Sequence, residues 1–229
     1  MSAAAGQPSA HSLRRVEETG RATAATAAAR CRAYALVSAL TASPHDVDTH
    51  PLAGVPPPAR SDLPYAFDCA ALVQEVAAAD LLQLKRQYSA LFEIGSDGPP
   101  APIREDLMTG QKAGTREDLV RFYDYFGYRL ADRYAWAPDH LSVELEFMHF
   151  LCYHESRESA DRLSYQLAQA DFAERHPARW VPRLADAVER LAPGSLYCRV
   201  VAATRDFLAA DLAWQAGTIV AGEAEPRHG

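Results

Sequence analysis

Hydrophobic residues recur along much of this chain at intervals of three or four positions, which is the spacing of one face of an α-helix. Over residues 67–92 the apolar positions with this spacing are Leu72, Val76, Leu81, Leu84, Tyr88 and Leu91. Similar spacing returns in later stretches, at about residues 139–152, 158–174 and 196–216. No segment shows convincing alternation of apolar and polar residues, as a half-buried strand would. The pattern therefore predicts an all-α protein.

Local signals predict where several of these helices begin and end. A first helix, from about Val16 to Ala42, ends at Ser43-Pro44. Thr115-Arg116-Glu117-Asp118 matches a capping box and predicts a helix start. Asp139 is the natural N-cap of the following helix, since aspartate accepts from the first turn. Pro182 is typical of the first turn of another helix.

Two proline-rich loops interrupt the helices, at residues 44–64 and 95–114. The whole pattern predicts about seven helices in a single compact domain like a helical bundle, over residues 16–217. Residues 1–15 are small and polar, and we expect them to be disordered. We expect residues 218–229 to form a flexible C-terminal tail.

Composition and charge narrow the function. The chain has 229 residues, 48% of them hydrophobic, with a formal net charge of −7. A nucleic-acid-binding protein would show a basic surface, which this composition does not supply. An acidic surface suits a basic partner, although it also keeps a protein soluble. The four cysteines are far apart and form no C-x-x-C pair, so we expect buried, reduced thiols.

A twin arginine stands near the N-terminus, in Ser12-Leu13-Arg14-Arg15-Val16. An export leader would continue with an apolar stretch, whereas Glu17 and Glu18 follow here. The chain also has no run of 18 or more apolar residues, so we expect no stable insertion into a membrane. These features predict a cytoplasmic protein.

Candidate catalytic chemistry is sparse. The nucleotide-binding glycine motifs, the zinc-protease motif and the nucleophile elbow are missing. Glu146 and His149 form one E-x-x-H on a predicted helix, but di-iron bundles need this motif twice, with two further glutamates. A helical, di-iron-like metal-dependent enzyme remains the alternative, and it needs ligands that the sequence does not supply. We therefore expect no metal, no cofactor and no catalytic activity.

One stretch carries a specific resemblance. Residues 138–151 read P-D-H-L-S-V-E-L-E-F-M-H-F-L and resemble a signature of the TorD/DmsD family of redox-enzyme maturation chaperones. The resemblance continues over about residues 66–215. It is most similar to the chaperones of ethylbenzene, dimethylsulfide, selenate and chlorate oxidoreductases. Four further stretches carry it, at Tyr88–Phe92, Tyr123–Gly127, Phe172–His176 with Trp180, and Tyr197–Asp211.

This resemblance implies a TorD-like helical chaperone that binds the catalytic subunit of a molybdenum-cofactor oxidoreductase, commonly through its twin-arginine leader peptide. It implies that the chaperone holds this subunit until the cofactor is inserted, before export. Whether it acts as a monomer or a homodimer is open. The client-binding residues that it implies are Leu91, Phe92, Pro102, Asp139 and His140, and helical spacing adds Glu144.

Each of these residues carries an expectation. We expect Leu91 and Phe92 to anchor the apolar part of the leader, with plain core packing as the alternative. We expect the charge of Asp139 to meet an arginine of the client, with helix capping as the alternative. The ordinary pKa of histidine is about 6.5, so His140 predicts a change in affinity between about pH 6 and pH 7.5.

Overall fold

The chain folds into successive α-helices joined by short irregular segments, and no β-strand occurs in residues 19–157 and 160–219, which are those that the computed structural model describes. The all-α prediction is confirmed. The predicted disorder of residues 1–15 and nearly all of the predicted tail at 218–229 lie outside the described residues. The helices are α1 (Thr23–Thr41), α2 (Ala70–Ala78), α3 (Leu81–Phe92), α4 (Glu105–Thr109), α5 (Thr115–Phe126), α6 (Leu141–Ser156), α7 (Arg162–Arg175), α8 (Pro177–Leu191) and α9 (Leu196–Thr218).

Helices α1 and α6 pack along each other through the middle of the molecule. The face that α1 buries is rich in alanine, with Ala29 and Ala33 almost fully covered. Small side chains let two helix axes approach closely. Ser38 also donates a hydrogen bond across this contact to the backbone oxygen of Ser142, at 2.7 Å. No helix in the described ranges is both long and apolar enough to cross a bilayer.

The described helices outnumber the seven predicted, for two reasons. The stretch predicted as one helix over residues 67–92 is two helices, because Ala79 is extended and Asp80 caps α3 by accepting from the backbone N–H of Gln83. The short helix α4 also lies inside the predicted 95–114 loop. Both features depend on side-chain caps and tertiary contacts rather than on hydrophobic spacing.

Helix α8 starts earlier than predicted, at Pro177, so that Pro182 is not in its first turn. Proline fits a first turn because its missing N–H would have no partner there. Pro182 therefore lies inside the helix and not at its start.

A buried ionic cluster joins α1 to α6 and α9. Arg30 donates to both carboxylate oxygens of Asp211, at 2.7 and 3.0 Å, and to Glu155 at 3.1 Å. Tyr34 donates to Asp211 at 2.6 Å. Burial alone would raise the pKa of Asp211, but the Arg30 charge and these hydrogen bonds lower it below its usual value. The cluster holds the three helices in register.

The two ends of α9 contact different parts of the chain. At one end Gly20 donates its backbone N–H to the carbonyl oxygen of Thr218, at 2.7 Å. At the other end Tyr197 packs against Phe92, with ring centroids 5.5 Å apart. The residues of the predicted site lie at this second end.

Candidate functional site

A cavity of about 230 Å³ opens where the end of α3, the 93–104 segment, α4 and the segment before α6 meet. Tyr88 and Phe92 of α3 form one apolar wall, and Leu107 and Trp136 line the cavity from other segments. Helix α1 leads into this region, because Ser43 and Asp46 also line the cavity. Elements that are distant in sequence therefore supply one concave surface.

Backbone hydrogen bonds hold the 93–104 segment against the helices on either side of it. Ala101 donates to the carbonyl oxygen of Leu91 at 2.9 Å, and Leu141 donates to that of Ile103 at 3.1 Å. The segment starts with a tight turn at Gly95, where an added Cβ would overlap the carbonyl oxygen of Gly98. A glycine is required at position 95 for this turn, and the loop wall of the cavity depends on it.

Asp139 is fully buried and binds groups of its own chain. Its Oδ1 accepts from Arg104 Nε and Nη2, at 3.2 and 2.9 Å, and its Oδ2 accepts from the backbone N–H of Asp106 at 3.2 Å. It therefore caps α4 and fixes Arg104, which lines the cavity. The prediction that Asp139 caps the helix of the signature is wrong, because α6 begins at Leu141. Its charge is also covered rather than presented to a client.

His140 is the N-cap of α6 and lines the cavity. Its Nδ1 accepts from the backbone N–H of Ser142 at 3.2 Å, which leaves Nε2 to donate to the hydroxyl oxygen of Tyr88 at 2.8 Å. Burial lowers the pKa of His140 to about 4, although the Asp139 carboxylate opposes this shift. The expectation of a titration near neutral pH is therefore wrong, and the ring is neutral there.

Leu91 and Phe92 face different surfaces. Phe92 lines the cavity at its apolar wall, where it also packs edge-on against Tyr88 and Tyr197. Leu91 lines a separate groove with Pro100 and Leu191. Pro102 is half-buried in the 93–104 segment. Of the residues predicted to bind a client, Phe92 and His140 are brought together in the cavity.

Glu144 lies inside the helical core with no exposed surface. Its Oε2 accepts from Trp180 Nε1 at 3.0 Å, while its Oε1 has no hydrogen-bond partner. Burial, followed by the nearby charge of Glu105, raises the pKa of Glu144 well above its usual value. The expectation that Glu144 contacts a client is therefore wrong. Its side chain lies one helical turn beyond His140 and points into the core, with no surface exposed to a client.

Three residues at the mouth of the cavity were not singled out from the sequence. Trp136 has 64% of its surface exposed, and the Arg104 guanidinium carbon lies 5.2 Å from the centre of its ring. Asp46 and Glu93 are exposed carboxylates. Glu93 directly follows Phe92 and could have been noticed, but the position of Asp46 depends on how the segment after α1 lies against α3, where His45 Nε2 is 2.9 Å from Ser89 Oγ.

The charges at this mouth favour a cation. Arg104 lies on the cavity wall and shares the buried carboxylate of Asp139 with Arg116, whose Nε lies 3.8 Å from the same oxygen. Asp46 and Glu93 add two negative charges, with the His45 Nε2 atom 3.8 Å from Glu93. An acidic rim beside an apolar wall suits a ligand that combines an arginine with apolar side chains.

The residues weighed as metal ligands have other neighbours. His149 Nδ1 lies 2.9 Å from the backbone oxygen of Cys31, and Glu146 is exposed, with its charge near the hydroxyl of Tyr128. Within residues 19–157 and 160–219, no group of three or more His, Cys, Asp or Glu side chains is placed to hold a metal ion.

Known proteins similar to this chain include assembly chaperones of selenate and chlorate reductases. The chain is 36% identical over 108 residues to a selenate reductase assembly chaperone protein of Thauera selenatis, which covers 43% of this chain and 54% of that protein. It is 35% identical over 104 residues to a chlorate reductase assembly chaperone protein of Ideonella dechloratans. This match also covers 43% of this chain and 54% of that protein. The chain thus spans about half the length of the curated relatives it matches.

The fold also has a solved counterpart. A proposed redox enzyme maturation protein from Archaeoglobus fulgidus superimposes with a TM-score of 0.51 at 19% identity, covering 78% of this chain and 93% of that one. The sequence profile described as nitrate reductase delta subunit matches residues 59–186, more than half of the chain. This match includes most of the cavity residues, and the resemblance to redox-enzyme maturation chaperones is confirmed. The chain therefore belongs to the nitrate reductase delta subunit family.

Proposed function

We propose that this protein is a cytoplasmic assembly chaperone for a molybdenum-containing reductase, and that it binds the twin-arginine leader of the catalytic subunit before export. The observation that carries the proposal is the cavity at the end of α3, which has an apolar wall and an acidic mouth. The names of the relatives, assembly chaperones of selenate and chlorate reductases, support the same function.

The two parts of a leader peptide match the two parts of this site. A leader has a cationic start followed by an apolar stretch. In the proposed complex, Phe92 and Trp136 contact the apolar residues, as apolar anchors do in other peptide grooves. Asp46 and Glu93 pair with the arginines in a partly desolvated setting, where charge-assisted hydrogen bonds are strong.

Other residues hold the site in shape. The neutral His140 ring and the Tyr88 hydroxyl form a hydrogen-bonded wall, which adds no charge to repel the leader's arginines. Asp139 keeps Arg104 stacked beside Trp136. The molybdenum cofactor belongs to the client, so the chaperone acts by holding the client until that cofactor is inserted.

A peptide titration tests the proposal. A synthetic peptide with a twin arginine followed by an apolar stretch is titrated by calorimetry into the wild-type protein and into Phe92→Ala. We expect the substitution to weaken binding by ~2 kcal/mol, roughly thirtyfold, because it removes an apolar anchor. Tyr125→Ala is the matched control, since Tyr125 is an exposed aromatic residue in a different groove, between α5 and α7.

The same titration separates an anchor from a core residue. If Phe92→Ala lowers the free energy of unfolding by ~3 kcal/mol or more and the folded fraction binds as tightly as wild type, then Phe92 is a packing residue. If the wild-type protein binds the peptide no better than a scrambled sequence does, leader binding is excluded.

A further inference from the structure

The chain carries, in its own sequence, a short version of the ligand proposed for the cavity. Ser12-Leu13-Arg14-Arg15-Val16 contains a twin arginine flanked by two apolar residues. A twin arginine is the defining feature of the leaders that direct folded proteins to export. We propose that this segment of one copy docks in the cavity of a second copy and competes there with the client leader. The inference rests on the proposed function, because it assigns a regulation to the same site.

Charge and shape favour this occupant. The mouth of the cavity has Asp46 and Glu93 as exposed carboxylates, while Arg104 and Arg116 share the carboxylate of Asp139, so the carboxylates outnumber the guanidinium groups by one. The two adjacent arginines complement the two carboxylates. Before the segment docks, solvent and salt partly screen these four charges. The apolar residues Leu13 and Val16 on either side of the arginines suit the apolar wall beside the mouth.

Chain length decides between docking within one copy and docking between two. Gly20 is fixed by its hydrogen bond to Thr218 at the last residue of α9. The cavity wall lies near the other end, where Tyr197 contacts Phe92. The 21 residues of helix from Tyr197 to Thr218 span about 32 Å at 1.5 Å per residue.

The N-terminal segment is too short to cover that distance. From Gly20 back to Leu13, the residue of the segment furthest from the fixed point among those proposed to dock, seven fully extended residues span at most about 25 Å, short of the roughly 32 Å needed. Val16 is nearer to the fixed point and reaches still less far. An arginine side chain adds a few ångströms, but the apolar residues would remain far from the wall. The segment therefore reaches the cavity of a second copy and not its own.

The contact is expected to be weaker than the one with a client. Only Leu13 and Val16 supply apolar surface, and Glu17 and Glu18 follow at once. A leader with a full apolar stretch buries more surface and lacks this adjacent negative charge. The client leader then displaces the segment, so the cavity is covered by a second copy when no client is present. Reciprocal exchange between two copies would close as a symmetric dimer.

Sedimentation velocity over a wide range of protein concentration tests this. We expect the wild-type chain to form a concentration-dependent dimer, and both R14A/R15A and D46N/E93Q to raise its dissociation constant at least about tenfold. The control R183A/R190A removes two exposed arginines of α8 and should leave the dimer unchanged. The twin-arginine peptide should dissociate the wild-type dimer.

Mixing R14A/R15A with D46N/E93Q tests directly whether the twin arginine of one copy binds the cavity of the other. R14A/R15A keeps an intact cavity and D46N/E93Q keeps an intact twin arginine, so an equal mixture should recover a 1:1 dimer held by one contact. A monomer at all concentrations, or a dimer that R14A/R15A leaves unchanged, overturns the inference. Binding of the peptide to R14A/R15A shows separately whether the proposed function stands in that case. A dimer that persists with saturating bound peptide also overturns it, since the two ligands would not share a site.

Discussion

At the scale of single residues, two members of the signature Pro138-Asp139-His140 stabilise the cavity wall from buried positions. Asp139 and His140 are both buried, and each completes hydrogen bonds to its own chain. Neither is presented to a client as a free charge. In the proposed complex they affect binding through Arg104 and Tyr88, which they hold on the cavity wall.

His140 gives a prediction about pH. Burial lowers its pKa to about 4, so the ring does not change charge between about pH 6 and pH 7.5, where an unperturbed histidine titrates. We expect the affinity for the leader peptide to be flat across this range in wild type and in Tyr88→Phe alike. Calorimetry at both pH values checks this, and a change in affinity of fivefold or more that disappears in His140→Asn would contradict the buried, neutral ring.

Glu144 gives a prediction about stability. Burial raises its pKa above the usual value of 4.5, so above that pH the folded protein holds a proton that the unfolded chain releases. The contribution of Glu144 to stability is therefore full below pH 4.5 and falls as pH rises through the folded pKa. Glu144→Gln resembles the protonated acid and should be more stable than wild type at neutral pH, with the difference vanishing near pH 4.5.

Urea unfolding at several pH values measures this difference. Glu146→Gln is the matched control, because Glu146 is exposed two residues further along α6. A stability difference between Glu144→Gln and wild type that is the same at every pH would show that folding does not raise the pKa of Glu144.

At the scale of secondary-structure elements, the helices with clear hydrophobic spacing were predictable and those set by caps were not. The spacing over residues 196–216 anticipated α9 closely. By contrast, α4 has only five residues, and its first turn is capped by Asp139 from a segment more than 30 positions later. Periodicity carries no information about such a contact.

The site was predictable to a similar extent, and for similar reasons. Phe92 and His140 follow from the resemblance, and both line the cavity. Asp46 could not be predicted, because its place depends on a tertiary contact between the segment after α1 and helix α3. The burial of Glu144 was also missed, since helical spacing gives the direction of a side chain only relative to its own helix.

Asp139→Asn tests the link between α4 and the cavity. The substitution leaves the positive charge of Arg104 without its partner and weakens the cap of α4. Arg104 is mostly buried, so we expect the protein to lose about 1–3 kcal/mol of stability. Protease cleavage in residues 93–112 should become faster, and leader affinity should fall, while the salt dependence of binding stays as in wild type.

A comparison of Asp139→Asn with Asp46→Asn, at the mouth of the cavity, decides the role of Asp139. Asp46→Asn should flatten the salt dependence of binding, because an exposed charge pair is screened by salt. Asp132→Asn, at another exposed position, is the control for a charge change alone. If Asp139→Asn flattens the salt dependence while leaving protease cleavage unchanged, its carboxylate meets the client directly.

At the scale of the whole molecule, the ionic cluster of Arg30, Glu155 and Asp211 crosses the core between three helices. Removing one partner of a buried ion pair leaves an uncompensated charge, which costs about 3–5 kcal/mol. Asp211→Asn should therefore destabilise the protein by an amount in this range at neutral pH. Since the pKa of Asp211 is lowered, the stability it supplies is present above its unfolded value of 3.8 and is lost as pH falls further.

Chemical unfolding of Asp211→Asn at pH 7 measures the loss. Asp206→Asn, on the same helix at an exposed position, is the control. A loss below about 0.5 kcal/mol, as for an ordinary surface change, would contradict a structural role for the cluster.

The 93–104 segment also has a consequence for how such proteins diversify. It meets the helices through main-chain hydrogen bonds from Ala101 and to Ile103, which do not depend on side-chain identity. Its exposed positions can therefore change without loss of the helical scaffold, provided that Gly95 keeps its turn, Arg104 keeps its partner, and Ala101 and Ile103 keep their buried side chains. If the cavity binds its client as proposed, grafting this loop between family members should transfer the choice of client while leaving the melting temperature nearly unchanged, so that recognition and folding are inherited separately.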